Sequence, residues 1–141
     1  MTAPTAGDVL TPLIDKMKSI RMDWPKRGWS WDTRLNCASS SFSAELEQAA
    51  HNAAKKTLST EWNAATLASA PQHIKDIAQK SGGVRSGQLV FATPPAGRYF
   101  VYGLWWPWGD GLTISLRVGL GGAEFREEVL QRVRDAFSIE M

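Results

Sequence analysis

The chain has 141 residues, 43% of them apolar and 21% charged, which suits a folded globular core and excludes a long disordered chain. Sixteen basic against fourteen acidic residues leave a net charge of +2, well short of the excess carried by a duplex nucleic-acid binder. A single cysteine excludes an intramolecular disulfide, and neither a leader-like start nor an apolar run of membrane length occurs, so a cytoplasmic protein without a membrane role is expected.

Residues 1–6 read as a flexible tail and 7–141 as one α+β domain. Val9, Leu10, Leu13, Ile14, Met17 and Ile20 recur at helical spacing behind Asp8, a residue type that caps helix starts, which predicts a helix over 8–22. Trp24-Pro25 stops it, because the residue before a proline avoids the α region. Trp29 and Trp31 then alternate with Ser30 and Asp32, a pattern that leaves 23–42 open between strand and loop; 58–69 is equally open among strand, helix and loop. A second helix is expected over 43–57, with Ser43 as its cap, Glu45 and Glu47 in the first turn where the dipole favours them, and Leu46, Ala49, Ala50, Ala53 and Ala54 on one small-residue face. A third, over 71–80, starts at Pro71 and ends before Gly82-Gly83.

Three strands follow, over 84–93, 98–106 and 112–120, and together they predict an antiparallel meander packed against the helices. The second is apolar on both faces, with Phe100, Tyr102, Leu104 and Trp106 on one and Tyr99, Val101 and Trp105 on the other, as in a strand covered on both sides. The third alternates strictly: Leu112, Ile114, Leu116, Val118 and Leu120 are expected to point inward together, opposite Thr113, Ser115 and Arg117. Between them Pro107-Trp108-Gly109-Asp110-Gly111 has the composition of a tight reversal. A last helix over 123–138 carries Phe125, Val129, Val133 and Phe137 at four-residue intervals.

Residues with catalytic chemistry are sparse. Cys37, His51 and His73 are the only thiol and imidazoles, they share no metal-ligand spacing, and the two histidines read as solvent-facing helix positions. Gly119-Gly121-Gly122 precedes a helix but lacks the lysine of a phosphate loop, and Glu124, Glu127 and Glu128 would repel an anion there. No catalytic residue, metal site or cofactor is therefore assigned.

Seven tryptophans are the compositional outlier, and all but Trp62 fall in two short segments, 24–31 and 105–108. Trp62, Trp105 and Trp106 read as core. Trp29, Trp31 and Trp108 lie in polar or turn sequence and, with Arg34, Asp110 and Arg117, form the expected binding set, because tryptophan and arginine dominate recognition surfaces. The expected function is a non-enzymatic protein-interaction module, an accessory subunit or an inhibitor. The alternative is a binder of single-stranded nucleic acid or of a sugar-like small ligand, and an enzyme ranks third.

Overall fold

In the computed structural model, which describes residues 6–140 with side chains from Val9 onward, α1 spans Ala6–Asp23, β1 Ser30–Asp32, β2 Cys37–Ser43, α2 Glu47–Thr57, β3 Thr60–Asn63, α3 Gln72–Lys80, β4 Leu89–Ala92, β5 Phe100–Pro107, β6 Thr113–Gly121 and α4 Glu127–Ala136. The strands form one antiparallel sheet in the order β1-β2-β6-β5-β4-β3. The expected meander β4-β5-β6 is its centre. It is widened by β2 and β1 on one side and by β3 on the other, in the two segments where the sequence left strand and loop open.

Register divides the sheet into two unlike faces. Val101 lies opposite Leu120, Gly103 opposite Val118, Trp105 opposite Leu116 and Pro107 opposite Ile114. This inner face joins Ala38 and Phe42 of β2 beneath α1, α2 and α4, which contribute Leu10, Leu13, Met17, Ile20, Ala50, Ala54, Val133 and Ala136 to one buried cluster. The alanine face of α2 serves to bring that helix close. On the outer face Phe100, Tyr102 and Leu104 pack with Val90 and Ala92 under Ile74, Ile77 and Ala78 of α3. Two large rings of β5 lie across glycines of β6 there: a Cβ at Gly119 would stand 2.6 Å from the Tyr102 hydroxyl, and one at Gly121 would run into the Phe100 ring.

Several boundaries differ from the sequence expectation, each for a local reason. Residues 84–88 turn instead of extending, because the Gln88 backbone N–H donates to the Arg85 carbonyl and the Gln88 side chain accepts from the Arg85 N–H, so β4 begins at Leu89. Asp8 lies within α1, which already runs from Ala6; the rest of the expected tail lies outside the described residues. Ser43 caps a short 3-10 turn, Ala44–Leu46, by accepting from the Glu45 N–H, and α2 proper follows. α4 starts only at Glu127, leaving Phe125 in the approach to it, where its ring meets Tyr99 at 5.8 Å. Leu112 is 70% exposed and not inward, since the chain is still reversing there and the strand alternation has not begun.

Both margins of the sheet are short or occupied. β1 has three residues and β3 four, and beyond β1 the Lys26 ammonium donates to the edge carbonyl of Ser41. The two leucines of β6 give a direct check of register. Leu116→Ala, at a fully buried position, should cost about 2–5 kcal/mol in urea unfolding, whereas Leu112→Ala should stay within roughly 0.5 kcal/mol. Equal costs at the two positions would contradict the register.

Candidate functional site

The outer face changes character where α3 ends. On β2 and β6 the register sets Ser39 opposite Arg117, Ser41 opposite Ser115 and Ser43 opposite Thr113, so hydroxyls replace the apolar side chains found beneath α3. Arg117 is the charged centre of this half. Its Nε donates to Asp32 Oδ2 at 2.8 Å, its Nη1 donates to Ser115 Oγ at 2.8 Å, and its guanidinium lies 4.4 Å from the Trp106 ring centroid. Asp32 closes the β1–β2 hairpin at the same time, with Oδ1 accepting from the backbone N–H groups of Arg34 and Leu35. Burial pulls the Asp32 carboxyl upward, but the Arg117 guanidinium and the Leu35 and Arg34 amides outweigh it and hold it below its ordinary value.

The β5–β6 tip adjoins this half. Asp110 builds the tip: Oδ1 accepts from the Leu112 and Thr113 N–H groups and Oδ2 from the Thr113 hydroxyl, while Gly111 takes the positive φ of 69° that the reversal needs. The Leu112 N–H and the Thr113 contacts hold the Asp110 carboxyl below its ordinary value against slight desolvation. Trp108 is half exposed at the tip, beside the exposed Leu112. Trp106, read from sequence as core, is only half-buried, with the Arg117 guanidinium over its ring.

The six residues singled out by sequence do not form one surface. Arg34 and Arg117 adjoin through Asp32, and Trp108 and Asp110 share the tip. Trp29 and Trp31 belong to the helix-covered side: Trp29 packs 4.5 Å from Phe137 and 5.3 Å from Trp24, and Trp31 lies beneath the Arg134 guanidinium at 4.9 Å, itself bonded to Glu127 and Gln131. Sequence reasoning did not single out Asp32 as the partner of Arg117, since the two are 85 residues apart.

Cysteine and histidine chemistry is constrained by packing. Cys37 is fully buried, and burial together with the nearby Asp32 charge pushes its thiol up to about 12, despite a hydrogen bond with Tyr102, so it stays protonated and a poor nucleophile. The histidines are half-buried and not solvent-facing. His51 Nε2 lies 2.7 Å from Glu61 Oε1 with its ring edge-on to Phe91 and Trp105, and His73 stands against Phe100. Among the described residues no three His, Cys, Asp or Glu side chains gather to hold a metal ion, and no helix is long and apolar enough to cross a membrane.

Two measurements test these assignments. Asp32 has a depressed folded value, so its stabilising effect is complete above the ordinary carboxylate range and is lost as pH falls through the folded value. Asp32→Asn should therefore destabilise by about 1–3 kcal/mol at neutral pH, with the gap to the parent closing in acid. A gap that is constant with pH would mean that the ion pair contributes nothing. Cys37 should resist alkylation in mildly alkaline buffer at any rate faster than global unfolding; rapid labelling of the folded protein would contradict its burial. No protein-family model, curated protein or solved structure matches the chain.

Proposed function

We propose that the protein is a non-enzymatic docking module of the cytoplasm, an accessory subunit or inhibitor, that binds another protein through the β5–β6 tip and the hydroxyl-lined outer face of β2 and β6. The observation that carries this reading is the clustering of exposed apolar side chains. Of three large ones exposed among the described residues, Trp108 and Leu112 share one tip, and Met22 is the third. A tryptophan and a leucine set beside uncharged Ser and Thr side chains offer an apolar anchor with a polar surround, the composition of a protein-binding patch.

A single-stranded nucleic acid fits this surface less well. Arg117, the guanidinium at its centre, is already neutralised by Asp32, and its ring partner Trp106 has one face covered by that same guanidinium. The reading is tested by capture from extracts of the native host with the parent chain, Trp108→Ala and Leu112→Asp. Each substitution should change stability by less than about 1 kcal/mol, as exposed positions do, and weaken capture of the same partner by about 2 kcal/mol or more. Capture should survive nuclease and moderate salt. Unfolding by Trp108→Ala, or a partner retained at full affinity by both variants, would remove the tip from the binding surface.

A further inference from the structure

On the helix-covered side, the last turn of α1, the connection through Trp24 to Trp29 and the end of α4 at Phe137 and Ser138 enclose a cleft of about 450 Å³. Its volume falls within the range of small-molecule sites, about 300–1,000 Å³. Arg21, Lys26 and Arg27 line it, and among the described residues no carboxylate side chain does. Three buried side-chain nitrogens lack a hydrogen-bond partner among the described residues, and two of them, Arg21 Nε and Trp29 Nε1, belong to residues that line this cleft. An unpartnered buried donor is costly and calls for an explanation, and here two stand together in a cationic setting.

The geometry also indicates what kind of ligand meets them. The Trp29 ring packs against Trp24 and Phe137, so it is not free for a base to stack on, and its N–H is an in-plane donor. A guanidinium Nε–H is likewise an in-plane donor. Both match an acceptor oxygen, and neither matches a stacked base. Lys26 spends one of its three donors on the Ser41 carbonyl and keeps two.

The opposing effect is the partial negative charge, about half a unit, at the C-terminal ends of α1 and α4. Part of it is already answered, since the Arg21 carbonyl accepts from the Trp24 N–H and the Arg134 and Asp135 carbonyls accept from Phe137, Ser138 and Ile139. Three full positive charges exceed what remains.

We propose that this cleft binds the phosphate group of a small phosphorylated molecule, held by the Arg21, Lys26 and Arg27 cations beside the unpartnered Trp29 Nε1–H. A phosphate suits three cations better than a carboxylate does, because it brings more charge and three strong acceptor oxygens. The site lies on the opposite side of the sheet from the Arg117 half of the outer face and stands or falls independently of the docking reading.

The test is a titration of the ¹⁵N-labelled full chain with pyrophosphate, following the indole N–H resonances; the Trp29 signal is identified by its loss in Trp29→Phe. That resonance should shift saturably, and chloride at matched ionic strength should not reproduce the shift. Arg21→Gln should weaken binding about tenfold or more, as removal of a charge-assisted donor does, and Arg21→Lys should give a smaller loss. Should Arg21→Gln fail to fold, the double variant Lys26→Gln/Arg27→Gln, at exposed positions, decides the matter, with a loss of about tenfold expected. The proposal is overturned by a Trp29 indole that does not move, by wild-type affinity in the double variant, or by a chloride response equal to that of pyrophosphate. Binding of a single-stranded oligonucleotide much tighter than pyrophosphate would overturn it in favour of a nucleic-acid surface.

Discussion

β5 carries apolar side chains on both of its faces, and such a strand is stable only where both faces are covered. Everything else in the sheet answers to that requirement. α1, α2 and α4 cover the inner face, while among the described residues the one α-helix on the outer face is α3, nine residues about 14 Å long and 10 Å across. Six strands at about 4.8 Å spacing make a sheet roughly 24 Å wide, too wide for that helix. The strands beyond its reach therefore carry Ser39, Ser41, Ser115 and Arg117 in place of apolar residues. The candidate docking surface lies on the part of the outer face beyond α3, where Ser39 and Ser41 are half-buried and Ser115 is buried.

β1 shows how a three-residue strand persists at the margin of such a sheet. Trp31 and Asp32 are consecutive and so point to opposite faces, and each engages an arginine: Trp31 lies beneath Arg134 of α4, and Asp32 pairs with Arg117 of β6. Arg117 and Arg134 each lie over an indole as well, and cation–π contacts of this kind contribute about 0.5–2 kcal/mol depending on desolvation. The strand is thus clamped from both sides by side chains that come from distant parts of the chain.

How much of this could be read from the sequence depended on whether a pattern was local. The β5–β6 hairpin, the Ala50, Ala53 and Ala54 face of α2 and the Val129 and Val133 stripe of α4 were legible because each pattern lies within one element, whereas Ala49 is exposed and Phe125 and Phe137 fall just outside α4. β2 was not, because its inward residues, Ala38, Ser40 and Phe42, include a serine whose burial makes sense only with the Trp24 indole donating to it at 2.9 Å. β3 has only four residues, of which Trp62 alone is strongly apolar. Leu112 continued an alternation that the backbone had not yet entered. The tryptophans stood out by composition, but Trp24, Trp29, Trp31, Trp105 and Trp106 meet different partners across the fold, and residue type could not distinguish them. Arg21 gave no signal at all, being one basic residue in the last turn of a helix.

The occupied margins of the sheet have a bearing on how the protein coexists with its neighbours. An open edge strand is a template onto which any extended chain can add by backbone hydrogen bonding, without regard to its side chains. Here one edge ends in three residues followed by a lysine seated on the Ser41 carbonyl, and the other in four residues. Lateral growth into fibrils or promiscuous strand exchange is thereby discouraged. Association is left to surfaces where side chains, and hence sequence, select the companion.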